Sequence, residues 1–151
     1  MKYLLIVLLF LGCASDKYIY WQAKEYKVQK DIGVALELSD YMLSGNIVGI
    51  KNGKMVLLKD KINGVPYDFY MNYISKTTGF KNYPWDFRNN PKKIIRIKVI
   101  DYYVDFDKKY VLLDVFVNQE HKKFIEKFDK DYLKAYKKVF DKLINYIKER
   151  E

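Results

Sequence analysis

The chain has 151 residues, 50% of them hydrophobic, with 28 Lys and Arg against 19 Asp and Glu and a formal net charge of +9. This length suits one domain with one core, which buries roughly two thirds of its unfolded surface and so folds without a disulfide or a structural metal. A single Cys excludes an internal disulfide, and the basic residues are spread along the chain rather than gathered in a stripe, which speaks against nucleic acid as a partner.

The N-terminus opens on Lys2 and an uncharged run from Tyr3 to Leu11. At about 1.5 Å per residue a helix of this length covers roughly half of a ~30 Å hydrocarbon core, so it suits the apolar region of a signal peptide and not a membrane span. Phe10-Leu11-Gly12-Cys13-Ala14-Ser15 follows and resembles the bacterial lipobox, where diacylglycerol is added to the thiol before cleavage. The expected organisation is a lipoprotein signal peptide over residues 1–12, a lipidated tether over 13–16 with Cys13 as the attachment point, and one domain over 17–151. Ala14 after the Cys, rather than Asp, implies the outer membrane by the sorting rule of enterobacterial lipoproteins. An ordinary signal peptide ending near Gly12 or Ala14 is the alternative, and it leaves the lone Cys13 unexplained.

Lys17-Tyr18-Ile19-Tyr20-Trp21 then reads as a first strand, because aromatic and β-branched residues suit a pleated surface. Ile32 to Leu38 alternates, with Val34, Leu36 and Leu38 on one face and Ala35 and Glu37 on the other. Residues 39–45 read as a loop or a single helical turn. Ile47 to Ile50 and Met55 to Leu58 flank Asn52-Gly53, whose tolerance of positive φ marks a hairpin. Pro66 fits the first turn of a helix carrying Tyr67, Tyr70, Met71, Tyr73 and Ile74 at helical spacing, and Gly79 suits its end. Ile95, Ile97 and Val99, then Val111, Leu113, Val115 and Val117, alternate on either side of a turn at residues 106–109, predicting an antiparallel hairpin. Asp131 caps a last helix running to about Lys148, with Leu133, Tyr136, Val139, Phe140, Leu143, Ile144 and Ile147 on one face and mostly lysines on the other. The expected fold is α/β: a single compact domain with a mixed, largely antiparallel sheet flanked by helices, the amphipathic C-terminal helix covering the sheet.

No catalytic constellation is legible, and an enzyme is not expected. His121, the one histidine, sits in the charged, loop-like stretch Gln119-Glu120-His121-Lys122-Lys123 without a second His or Cys at metal-ligand spacing. Asp105 and Asp107 fall at a turn, where acidic residues favour the local geometry. No Gly-rich loop follows a strand, so no nucleotide, metal or other cofactor is expected. Fifteen Tyr, nine Phe and two Trp exceed what a core of this size requires, and such residues favour interfaces and membrane boundaries. Tyr83, Trp85 and Phe87 cluster around Pro84 as candidate partner or lipid contacts, with a plug closing one end of the sheet as the plainer role. The basic excess suits either a solvated surface or a face turned towards anionic lipid headgroups.

These signals follow one order: the lipobox, Tyr18-Ile19-Tyr20, the run from Ile32 through Gly33-Val34 to Tyr41-Met42-Leu43, Ile47-Val48, a helix, Tyr83-Pro84-Trp85, and the hairpin through Ile97–Asp101 and Val111–Leu113. That order resembles the ABC-type transport auxiliary lipoprotein family, which includes the paraquat-inducible protein C lipoproteins of Gram-negative bacteria. Ser39 stands where that family usually has Pro, and the Trp-containing stretch before the family's helix is reduced to Leu57-Leu58-Lys59-Asp60. The resemblance implies an accessory lipoprotein of an MCE/ABC-type lipid transport system, lipid-anchored at the outer membrane and facing the periplasm. Its implied partners are an MCE-domain protein, ABC transporter components and the membrane, with homo-oligomer formation left open. A lipoprotein that itself binds lipid or peptide is the alternative.

Overall fold

The computed structural model describes residues 17–22, 29–83 and 90–151. In chain order the elements are β1 (Lys17–Ile19), β2 (Ile32–Glu37), α1 (Asp40–Leu43), β3 (Asn46–Lys51), β4 (Lys54–Ile62), α2 (Pro66–Thr78), β5 (Lys81–Asn82), β6 (Lys93–Asp105), β7 (Tyr110–Val117), β8 (Glu120–Lys127) and α3 (Tyr132–Lys148). They form one mixed, eight-stranded sheet that does not close, with the helices against it.

The long strand β6 is the axis. One of its edges is shared: β2 runs parallel to it along Lys93–Lys98, and β3 runs parallel along Tyr103–Asp105. The single helical turn α1 loops out between these two pairings, so β2 and β3 behave as one interrupted strand. On its other edge β6 pairs antiparallel with β7, and β7 with β8. Outward from β3 come β4, antiparallel, and β1, parallel, while the two-residue β5 borders β2. A bulge between Val99 and Asp101 inserts one residue in β6. It shifts the alternation so that Tyr102 and Val104 continue the inward row begun by Ile95, Ile97 and Val99, and all five are buried.

Local chemistry explains most of the element ends. Asn52 and Gly53 adopt φ of 52° and 70°, the paired left-handed conformation of a tight hairpin turn. Pro66 opens α2, and Gly79 closes it at φ 79° with its N–H donated to the Ser75 carbonyl. The Asp131 side chain accepts from the Lys134 N–H at 3.0 Å and caps α3. Both long helices lie on one face of the sheet. Their buried residues, among them Tyr70, Met71, Ile74, Tyr136, Phe140 and Leu143, merge with the inward rows of β6 and β7 into one core.

The structure corrects one reading of the sequence. The charged stretch around His121 is not a loop; it belongs to β8, which hydrogen-bonds along the whole of β7. Its inward positions carry Lys122, Phe124 and Glu126, so the apolar alternation that signals a strand is missing. Glu126 instead meets Lys142 and Lys138 of α3 at 2.8 and 3.8 Å. The turn into β8 is equally unmarked by glycine, since Asn118 and Gln119 take φ of 49° and 73°. Two strand ends also differ from expectation: β1 stops at Ile19 rather than Trp21, and β4 runs on to Ile62.

Candidate docking surface

The two faces of the sheet hold different kinds of aromatic residue. On the inner face Trp21 enters between α2 and α3, with ring centroids 4.9 Å from Phe69, 5.2 Å from Tyr73 and 5.2 Å from Phe140. Tyr102 stacks on Tyr136 at 3.8 Å. The tyrosine hydroxyls here are bound internally: Tyr70 and Tyr136 share a hydrogen bond of 2.9 Å, and Tyr102 donates to the Tyr136 carbonyl. Burial pushes all three well above an ordinary phenol, so they stay neutral. Nearer the surface Tyr73 donates to Asp141 at 2.5 Å and accepts from Lys137 at 2.9 Å; desolvation, reinforced by the carboxylate, raises it too. Much of the aromatic excess is thus core packing.

On the outer face, laterally paired residues continue from strand to strand. Leu57 pairs with Val48, Val48 with Tyr103, Tyr103 with Leu112, and Leu112 with Ile125. Paired positions share a face, so this is one apolar row across β4, β3, β6, β7 and β8. Its ends, Leu57 and Ile125, are 59% and 48% exposed. The rows nearer β2 are polar. Asp114 takes His121 at 2.5 Å and Lys123 at 3.7 Å, and Lys98 meets Glu37 at 3.4 Å.

Beyond them the outer face sinks into a groove of about 510 Å³ lined by Ala35, Tyr83, Arg96, Lys98, Phe116 and Asn118 among others. Its floor is low because the β2 residue paired with Arg96 is Ala35. Gly33 lets the wall approach: a Cβ there would meet Pro91 Cγ at 2.8 Å and Tyr83 Cβ at 3.1 Å. The Tyr83 N–H donates to the Val34 carbonyl at 2.9 Å, tying the wall to β2. Opposite, Asn118 brackets Arg96, its side-chain oxygen accepting from the Arg96 N–H at 2.8 Å and its own N–H donating to the Arg96 carbonyl at 2.9 Å. The Arg96 guanidinium has no carboxylate partner among the described residues. A cation on a fixed stretch of backbone, beside an exposed Phe over an apolar floor, can receive a carboxylate or phosphate joined to an apolar group.

Of the candidates read from the sequence, Tyr83 is described, half-buried and in the groove wall. Cys13, Trp85 and Phe87 lie outside the described residues. Arg96, Asn118 and Phe116 were not singled out by sequence; the one readable sign was Phe116, a large apolar residue on the non-core face of its strand. Among the described residues no group of three or more His, Cys, Asp or Glu could hold a metal ion, and no helix is long and apolar enough to cross a membrane.

No family model matches the chain, and no curated protein matches it. Solved structures do. One, described as an uncharacterized protein, superposes with a TM-score of 0.58 at 11% identity, covering 90% of this chain and 99% of the other. A second, protein XCC0632 from Xanthomonas campestris of the family DUF330, gives 0.55 at 10% identity over 87% of this chain and 92% of its own. At such identity the likeness is one of fold.

Proposed function

We propose that this chain is a non-enzymatic accessory lipoprotein of an MCE/ABC-type lipid transport system. Lipid on Cys13 holds it at the outer membrane, facing the periplasm, where the outer sheet face docks a periplasmic partner. The observation that carries the reading is the asymmetry of the sheet. One face is filled by α2 and α3, while the other carries a groove in which Arg96, without a carboxylate partner among the described residues, stands beside Phe116. The order of motifs that resembles the ABC-type transport auxiliary lipoproteins supplies the system, with an MCE-domain protein and transporter components as partners. The test is co-purification from its native envelope after mild detergent extraction, with a photo-crosslinker at position 116. The expected result is a crosslink to an MCE or transporter component that Arg96→Glu abolishes. Recovery of neither component sinks the proposal.

A second reading rests on the groove itself, whose size suits an acyl chain or a short peptide. The chain would then be a lipid- or peptide-binding periplasmic lipoprotein acting on its own. Native mass spectrometry of the chain carrying Cys13→Ser, recovered from the periplasm, would show a bound small molecule that Phe116→Glu removes.

A further inference from the structure

Three turns that are far apart in sequence meet at one end of the sheet. Register brings them together: Met55 pairs with Ile50, Ile50 with Asp105, Asp105 with Tyr110, and Tyr110 with Lys127. The turns at that end are residues 51–54, 106–109 and 127–130. They contain six lysines, Lys51, Lys54, Lys108, Lys109, Lys127 and Lys130, against only Asp107 and Asp129. Asp107, itself exposed, is held by the neighbouring turn, accepting from the Asn52 and Gly53 N–H groups at 2.8 Å each. Asp129 lies 3.8 Å from Lys109. The turns are tied to one another by Phe106 N–H to the Ile50 carbonyl at 3.0 Å and Phe128 N–H to the Lys109 carbonyl at 3.1 Å. Beneath them Phe106 packs edge-on against Phe128 and Tyr132. The lysines therefore stand on a fixed platform. Beside it β4 exposes Met55 and Leu57, at 57% and 59%.

The direction of β1 adds a second, independent observation. It runs parallel to β4, with Lys17 opposite Asp60 and Ile19 opposite Ile62. Since β4 begins at Lys54, the N-terminal end of β1 points at the basic platform. Cys13 precedes Lys17 by four residues, a reach of at most about 14 Å, which spans most of the roughly 20 Å that six residues of β4 put between Asp60 and Lys54.

We infer that this platform is a membrane-contact face, on which Lys51, Lys54, Lys108 and Lys130 meet anionic phospholipid headgroups while Met55 and Leu57 enter the interface. The inference deepens the lipid-anchor reading above and rests on it for which membrane is touched. Lysines near an anionic surface add a salt-sensitive attraction; the two acyl chains of the diacylglycerol on Cys13 already anchor the chain, so the platform's part is to orient the domain on the membrane. The anchor, the basic end and the exposed apolar pair would then face the same way. The groove at the opposite end of β6 would be turned towards the partner.

The test uses the leaderless chain carrying Cys13→Ser, whose core among the described residues lies between Ile19 and Ile147. It is sedimented with vesicles of phosphatidylglycerol and phosphatidylethanolamine, and with vesicles of phosphatidylcholine alone. Binding is expected to the anionic vesicles only, and to fall as salt rises. Lys54→Glu with Lys108→Glu and Lys130→Glu should weaken it at least about tenfold, whereas the matched reversal of Lys92, Lys93 and Lys148 at the far end should change it less than about twofold. Met55→Ser with Leu57→Ser should weaken it a few-fold with the same salt dependence, and circular dichroism confirms that each variant is folded. Equal binding to both vesicles, equal loss in the two triple variants, or no binding at all would overturn the inference, the last even if the platform crosslinks to a protein. Failure of the anchor itself appears elsewhere, as an unmodified mass for the Cys13 peptide from native membranes, and leaves the vesicle result intact.

Discussion

The inner and outer faces of this sheet are built from the same residue types used in opposite ways. On the inner face Tyr70, Tyr102 and Tyr136 are buried and bonded to one another or to backbone, and Trp21 and Phe140 fill the space between the helices. On the outer face Leu57, Phe116 and Ile125 keep 59%, 38% and 48% of their surface exposed, and Arg96 stands unpaired among the described residues. Aromatic content alone therefore does not mark a binding surface. What marks one is an apolar residue left on the side of the sheet that neither α2 nor α3 covers.

Several changes would break or sharpen that comparison. The largest effect is expected for Phe140→Ala, which empties the packed side and should cost about 3–5 kcal/mol in urea unfolding. Phe116→Ala, on the other face, should cost less than about 1 kcal/mol; a comparable loss would show that its face is covered. Gly49→Val comes next. A Cβ there meets Leu58 Cδ2 and Phe106 Cε2 at 2.9 Å each, and the overpacking should cost about 1–3 kcal/mol.

Tyr136→Phe removes the partner of the buried Tyr70 hydroxyl and should cost about 1–2 kcal/mol. Adding Tyr70→Phe should cost less than the sum of the two single changes, because the orphaned hydroxyl is then gone. A double-mutant cycle with additive losses would mean that the two hydroxyls do not share a bond.

The smallest effect is a pH dependence. Contacts from Lys122, Tyr146 and Arg150 hold the Glu120 carboxyl down at about 2, below the about 4.3 of an unfolded glutamate. A depressed folded value stabilises above the unfolded value, and that contribution is lost as pH falls from about 4.3 through about 2. Two backbone N–H donors lower Asp107 in the same sense. Glu120→Gln should therefore lower the neutral plateau of a plot of urea midpoint against pH slightly and flatten its acid limb, variant and parent converging as the pH falls to about 2. An unaltered acid limb would assign the loss to other carboxylates.

Local chemistry made much of the fold readable. Asn52-Gly53 forms the expected turn, Pro66 and Gly79 bound α2, Asp131 caps α3, and the alternating rows of β6 and β7 face the core as read. Each of these depends on a few neighbouring residues, so its signal lies in a short window. β8 was missed because its inward positions carry the charges of Lys122 and Glu126, the first paired with Glu120 of the same strand and the second compensated from outside it by lysines of α3. Tyr83 was read as a contact, but only the approach of Pro91 and the pairing of Ala35 with Arg96 turn its surroundings into a groove. The basic platform was invisible for the same reason, its lysines lying in three turns far apart along the chain. Sequence by itself determined which face of each helix and most strands is apolar, because periodicity is a property of consecutive residues. Which strands became neighbours, which face stayed uncovered and which charges share one end were decided only by tertiary packing, since burying those apolar faces together selects pairings that no local window contains.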